Sequence, residues 1–353
     1  TDIDVHDGMA IGFYLVKGMN NLVLNCDAHD NYDGYSEGDS GNVDGFGGHA
    51  NKETSTGNIF RGCRAWNNGD DGFDLINCYA SYIIEYCWSF RNGYKPHSIE
   101  SSGGNGAGFK SGGYGMGDIK KVPNPIPQHT VRYCLAYYNR QQGFYSNHHL
   151  GGLIFENNTA YKNPSNYNML NRKSSNEAVD VPGYGHIIKN NLSLSPRNSG
   201  GFPQHLINVD NTLSEIKNNS FAPNDLNLSE SDFESLNEQE LMGSRKSDGS
   251  LPDINFLRLT NHANFRFSGM GCFINEEAVD YSWIQEPAIV LENGVARIVG
   301  ENSRSFNKFY VNGEEVSIEN GIVDLTSMSG ELNLKAISEN GAVTTPVSYT
   351  HLR

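Results

Sequence analysis

The chain has 353 residues and a formal net charge of −15, a length that accommodates one large domain and a smaller one. A charge of that sign and size argues against a nucleic-acid partner, because a phosphate backbone would be repelled rather than bound through released counterions. No apolar run approaches the roughly 18 residues needed to cross a bilayer, so no membrane partner is expected either.

The first residues, "TDIDVHDGMA", have neither the basic start nor the apolar stretch of a secretory leader. They open within a repeated pattern, so further coils upstream are expected. Five segments share that pattern: "LVLNCDAHDN", "IFRGCRAWNN", "IIEYCWSFRN", "TVRYCLAYYN" and "LIFENNTAYKN". Aligned on Cys26, Cys63, Cys87, Cys134 and Asn158, each has a small residue two positions on: Ala28, Ala65, Ser89, Ala136, Ala160. One position further, Trp66, Phe90, Tyr137 and Tyr161 are aromatic, with His29 the exception. Five positions after the alignment point comes an asparagine each time: Asn31, Asn68, Asn92, Asn139, Asn163. "IIKNNLSLS" and "EIKNNSF" are weaker copies.

Such a unit is a short β-run ending in a turn, and it buries its apolar face only by stacking on its neighbours. Asparagine at a recurring turn suits a ladder of side-chain amides and tolerates left-handed backbone. The regular leucines of a leucine-rich repeat are absent. The pattern predicts an all-β chain whose main body is a right-handed parallel β-helix. Four of the six cysteines fall at one repeat position, which predicts buried, mostly free thiols behaving as small hydrophobes rather than a disulfide framework.

Gly-Phe recurs once per coil, at 12–13, 45–46, 72–73, 108–109 and 143–144, and serves as a ruler. Asp44 and Asp71 both precede the glycine, so they are predicted to stack at the spacing of adjacent strands, about 4.8 Å. Asp70 adjoins Asp71, Asp74 follows Phe73, and Lys110 follows Phe109, one coil beyond Asp74 in the same column. Lys110 lies in "GGNGAGFKSGG". This is not a phosphate-binding loop, because Phe109 stands where that motif needs glycine and no apolar helix follows. Four carboxylates so close raise one another's pKa unless something neutralises them. Calcium, with its six to eight oxygen ligands, suits them better than magnesium or zinc.

A polar turn or a purely structural calcium clip accounts for the acids equally well, and a lysine in a glycine-rich loop is commonly just solvated. The combination nevertheless suits β-elimination on a uronic acid. A cation there would bind the sugar carboxylate and stabilise the charge that develops beside it. Lys110, its pKa lowered by nearby cations and partial burial, would take the ring proton, and the glycines around it would admit a sugar ring closely.

Beyond the repeats, residues 222–253 are polar and acidic, and are predicted to form an irregular, partly helical segment closing the end of the solenoid. From about residue 285, short runs such as "FNKFYVNGEEVSI", with turn signals at Asn312-Gly313 and Asn340-Gly341, predict a small β-sandwich-like module. The expected division is a β-helix over residues 1–265, preceded by missing coils, and a β-rich module over 266–353.

The motifs "NNLVLNCDAHDNYD", "NVDGFGGH", "NIFRGCRAWNNGDDGFDLI" and "GNGAGFKSGG", followed by "GFYSNHH" and "NYNML", occur in order, and over roughly residues 1–220 the chain resembles polysaccharide lyase family 9. That family comprises calcium-dependent pectate and rhamnogalacturonan lyases on a right-handed parallel β-helix with an asparagine ladder. The resemblance implies Ca2+ held by Asp44, Asp70, Asp71 and Asp74, with Lys110 as the base. It also implies an exported monomer, secreted, cell-surface or periplasmic, whose partner is an acidic, galacturonate-containing plant polysaccharide. His49 and His148 near the expected cleft, Arg91, Lys95 and Arg140 after coil turns, and Tyr114 and Tyr145 as stacking rings are candidate substrate-binding residues.

Two other readings stay open. A polygalacturonase-like hydrolase would use clustered aspartates on the same fold, although its Gly-His-Gly and Arg-Ile-Lys elements are absent. A non-catalytic β-helix would bind polysaccharide without turnover.

Overall fold

The computed structural model describes residues 1–36, 40–114, 122–197, 204–274, 288–292, 295–299, 306–318, 322–338, 344 and 347–351. They group into two compact units, Thr1–Gly243 with Asp253–Ile274, and Ser244–Pro252 with Asn275–Arg353. In the first unit each turn of the chain lays one short strand into each of three parallel sheets of seven strands. Sheet 1 runs from Asp4–His6 to Leu192–Leu194, and sheet 3 from Leu22–Leu24 to Glu215–Lys217. Sheet 2, which carries the site, consists of Phe13–Leu15, Phe46–Gly48, Phe73–Asp74, Phe109–Lys110, Gln142–Tyr145, Ser165–Asn168 and Leu206–Ile207. The predicted parallel β-helix is therefore present, in the predicted register.

The repeat positions explain the stacking. Ala28, Ala65, Ser89, Ala136 and Ala160 pair in register through sheet 1 and point inward, where only a small side chain fits. The phenylalanines of the Gly-Phe pairs form a second inward column, stacked at centroid spacings of 4.8 Å (Phe46 on Phe73), 5.0 Å (Phe73 on Phe109) and 4.9 Å (Phe109 on Phe144). These equal the strand spacing, so each ring covers the next and every one of the four is fully buried. The glycine before each ring is required by close approach: a β-carbon on Gly72 would lie 2.7 Å from the Gly108 carbonyl oxygen and 2.0 Å from Ser89 Oγ.

The asparagine ladder is continuous. Asn31 donates to Asn68 at 2.9 Å, Asn68 to Asn92 at 3.0 Å, Asn92 to Asn139 at 3.0 Å and Asn139 to Asn163 at 3.1 Å. All five are fully buried, so each amide is satisfied only by its neighbours. The four cysteines of the repeat position are buried and free as predicted, and so are Cys78 and Cys272. Where the cysteine column ends, a second ladder begins: Asn158 donates to Asn191 at 3.1 Å and Asn191 to Asn219 at 2.9 Å.

One expectation is corrected. The segment after residue 222 does not close the end of the solenoid but runs back along the outer face of sheet 1. Glu230 accepts from Tyr161 at 3.1 Å, Phe256 packs edge-on against Tyr137 at 5.2 Å, and the Leu241 carbonyl accepts from Arg64 at 3.1 Å. The reason lies in the repeat itself. Trp66, Phe90, Tyr137 and Tyr161 project outward from sheet 1, and this apolar stripe stays dry only under a cover; all four are buried.

In the second unit, Ala288–Glu292, Val295–Val299 and Ile322–Asp324 form one antiparallel sheet. Phe306–Val311, Glu314–Val316, Gly330–Ser338 and Val347–His351 form another. Both contribute to one core that includes Ile289, Ala296, Phe309, Val323 and Leu334, as a sandwich requires. Asn312 and Gly313 both take positive φ in the tight turn they were expected to make. Asn340-Gly341 lies outside the described residues.

Candidate active site

The turns between sheets 1 and 2 deliver the acids. Asp44 ends one such turn and Asp70–Asp71 the next, and they stack as the Gly-Phe ruler predicted: Asp44 Oδ1 accepts from the Asp71 amide at 3.0 Å. Carboxylate oxygens of Asp44, Asp70 and Asp71 all lie within 4.8 Å of one another, fully buried. Asp74 and Lys110 pair in register across adjacent strands of sheet 2. Lys110 Nζ reaches 3.0 Å from both Asp71 Oδ2 and Asp74 Oδ2. Asp74 thus meets the lysine at the edge of the group of three, and its other oxygen accepts from the Ile76 amide at 2.7 Å.

The glycine-rich stretch before Lys110 also holds the acids in place. It lies flat over the acids: the Asn105 amide donates to Asp70 at 2.5 Å and the Ala107 amide to Asp71 at 2.6 Å. A β-carbon on Gly104 would fall 2.3 Å from the Gly69 carbonyl oxygen, so the loop can lie this close only with glycine there. Arg140 braces it from the next coil by donating to the Gly104 carbonyl.

Burial dominates the electrostatics. It holds the Asp44 carboxyl well above the usual carboxylate range, reinforced by the charges of Asp74, Asp71 and Asp70. It pushes Asp71 up to about 7, with Asp70 adding to the rise. Asp70 is also raised by burial, against the opposing pull of Lys110 and the Asn105 amide.

For Lys110 the expected direction is reversed. Burial lowers its pKa, but the charges of Asp71, Asp74, Asp44 and Asp70 together outweigh that and hold the ammonium well above its ordinary value. The ammonium is thus ion-paired with the cluster through Asp71 and Asp74. The donor set nevertheless fits a hard divalent cation. The three close ligands are all carboxylate oxygens, and more negative charge is buried than one ammonium offsets.

The remaining candidates separate by position. His49 closes one side, with Nε2 3.8 Å from Asp74 Oδ2 and Nδ1 3.2 Å from the Tyr14 hydroxyl; burial lowers its pKa. Tyr145 pairs in register with Lys110 on the next strand, and its hydroxyl lies 2.9 Å from His148 Nε2. Arg91 is engaged elsewhere, by Glu238 of the segment covering sheet 1 and by the Tyr138 ring at 5.3 Å. Lys95 pairs with Glu100 at 3.3 Å in an exposed setting. Tyr114 is buried, donating to the Cys78 carbonyl at 2.9 Å and stacking on His149, so it has no face to offer a sugar. The sequence reading did not include Asp180, which binds His148 Nδ1 at 2.6 Å from a hairpin formed by Asn171–Ser174 and Glu177–Val181.

The fold and this acid–lysine arrangement define a β-helical protein whose site sets three converging carboxylates beside a buried lysine. Comparison with known proteins places it more narrowly. Residues 1–215 match the family model described as Pel9A-like, right handed beta helix region, and residues 210–345 match that of Rhamnogalacturonan lyase-like, C-terminal. The chain belongs to the Pel9A-like right-handed β-helix family.

A solved structure titled rhamnogalacturonan lyase is 56% identical, with a TM-score of 0.72, covering 77% of this chain and 65% of that one. The crystal structure of pectate lyase Pel9A is 33% identical with a TM-score of 0.57, covering 73% and 57%. Pectate lyase L of Dickeya chrysanthemi is 35% identical over 265 residues, 75% of this chain and 54% of the relative. The chain thus spans about half the length of that curated relative.

Proposed function

We propose that this chain is the catalytic part of a calcium-dependent polysaccharide lyase that cleaves a galacturonate-containing pectic backbone by β-elimination. The observation that carries the reading is the position of Lys110 Nζ, 3.0 Å from Asp71 and Asp74 and beside three carboxylates that converge within 4.8 Å. Asp44, Asp70 and Asp71, with Asp74 at the edge, would hold the ion. An ion held there would supply positive charge to offset the field that favours the Lys110 ammonium, and would polarise the uronate carboxylate. Lys110 as free amine then takes the proton from the ring carbon bearing that carboxylate. The C–H electron pair becomes a ring double bond and the glycosidic C–O bond opens, leaving an unsaturated uronate.

The acid geometry favours this over hydrolysis. An inverting hydrolase keeps its two carboxyls about 6.5–9.5 Å apart to seat a water, whereas three of these acids approach within 4.8 Å. Between the candidate substrates, an alternating rhamnose–galacturonate backbone fits better than polygalacturonate. The outward positions in register with Asp74 and Lys110 are Tyr14, Gly47, Tyr145 and Asn168, none of them a cation for successive carboxylates. The 56% identical structure titled rhamnogalacturonan lyase supports the same choice. In this reading the enzyme is an exported monomer, secreted or held at the cell surface or in the periplasm.

The test is an assay on both polysaccharides with calcium, with chelator, and with calcium restored. Ultraviolet-absorbing unsaturated product that disappears in chelator and returns with calcium is expected, faster on rhamnogalacturonan I. Reducing ends without that absorbance, or turnover indifferent to chelator, would sink the proposal.

A further inference from the structure

One group on the outward face of sheet 2 has no part in the reaction as described so far. Tyr145 sits one strand beyond Lys110 in the same register. Their inward neighbours Phe109 and Phe144 stack at 4.9 Å, so the lysine and the tyrosine leave adjacent strands on the same face. The Tyr145 hydroxyl lies 2.9 Å from His148 Nε2, and His148 Nδ1 lies 2.6 Å from Asp180 Oδ1. Both ring nitrogens of His148 are therefore occupied, which fixes the ring plane. His148 holds a φ of 57°, left-handed backbone that costs a residue with a β-carbon about 1–2 kcal/mol. Asp180 arrives on a hairpin that interrupts the regular coils, and its side chain is 48% exposed. A Tyr–His–Asp chain so open to solvent adds little to core stability, and it ends beside the base.

We infer that Tyr145 is the proton donor to the departing sugar oxygen, with His148 and Asp180 as the residues that position it. The inference rests on the lyase reading and completes its proton balance. Lys110 removes the ring proton, the C–H pair becomes the double bond, and the C–O pair leaves with the glycosidic oxygen. That oxygen takes the Tyr145 hydroxyl proton as it departs. The phenolate regains a proton through His148 Nε2, on a ring that Asp180 holds in place. His148 and Lys110 then return to their starting states by exchange with solvent, and nothing is oxidised or reduced. Burial, with the Asp180 charge next, pushes the Tyr145 hydroxyl up to about 12, so it still carries its proton when the sugar oxygen needs one.

The experiment uses the full chain with calcium and the better of the two polysaccharides, comparing wild type with Lys110→Ala, Tyr145→Phe, Asp180→Asn and Asp180→Glu. Kinetics are measured in water, and substrate recovered from heavy water is analysed for deuterium on the carbon bearing the carboxylate. Tyr145→Phe is expected to lower kcat about a hundredfold, in the range of general acid catalysis, with KM within about twofold. Substrate recovered from this variant should carry deuterium, because the base still works and the stranded carbanion is reprotonated from solvent. Lys110→Ala should yield none. Asp180→Asn should lower kcat roughly tenfold at unchanged KM, and Asp180→Glu should restore most of it; the thermal midpoints report that both fold. Wild-type kcat in Tyr145→Phe overturns the assignment, as does a raised KM at unchanged kcat or a loss of deuterium exchange together with turnover. A wild-type chain that makes no unsaturated product overturns the lyase reading and this inference with it, whereas active wild type with an indifferent Tyr145→Phe overturns the donor alone.

Discussion

The two faces of the short strands Phe73–Asp74 and Phe109–Lys110 follow opposite rules. Inward, Phe13, Phe46, Phe73, Phe109 and Phe144 repeat one residue through five coils. Outward, the adjoining column reads Tyr14, Gly47, Asp74, Lys110, Tyr145, Asn168, without a repeat. A solenoid is stable when every coil offers its neighbour the same surface. A catalytic site needs unlike groups brought together, and the face turned away from the core is where unlike groups can be placed without breaking the stack.

The sharpest way to break this contrast is to change neighbouring residues of one strand. Lys110→Ala should reduce kcat by about a thousandfold, inside the range of about 10²–10⁴ expected of a general base, while circular dichroism shows the β-helix intact. Phe109→Ala should do the reverse. The lost ring leaves a cavity between Phe73 and Phe144, and a cost of about 3–5 kcal/mol should appear in denaturant melts, with specific activity of the folded fraction nearly kept.

A smaller effect concerns pH in the chelated protein. Asp44 and Asp71 are raised in the folded state, Asp71 to about 7, so the native chain binds protons that the unfolded chain has released. Stability without calcium should therefore be greatest below the ordinary carboxylate pKa and fall as pH climbs towards 7. Calcium should flatten that slope in thermal melts; an unchanged slope would mean that no ion enters the cage. The smallest expected effect is at Arg91, whose half-exposed pair with Glu238 is of the kind that contributes under about 1 kcal/mol. Arg91→Ala should leave kcat/KM within about twofold, and a larger rise in KM would return this arginine to the substrate.

What could be read in advance followed the repeat. The asparagine ladder, the phenylalanine column, the free cysteines and the pairing of Lys110 with Asp74 are all register relations, and register in a solenoid is set by counting. The second ladder was legible too, since Asn158 occupies the cysteine position and "KNN" recurs in both weaker copies. What could not be read lies where the chain leaves the count. Arg91 and Arg140 look equivalent after their coil turns, yet one meets Glu238 and the other holds the loop over Asp70. Which of these happens depends on segments far away in the chain. Asp180 had no signal, because it belongs to a hairpin inserted between coils.

The string of residues was enough to specify the solenoid, its inward columns and the convergence of four acids with one lysine, because one spacing, repeated, leaves a single way to stack. Folding decided everything that depends on burial: that the glycine-rich loop lies over the acids, and that Lys110 is ion-paired with Asp71 and Asp74. The segment after residue 222 likewise covers an aromatic face rather than an end. These outcomes turn on which charges lose their water and which apolar surface still needs a cover, and neither quantity exists until the coils are assembled.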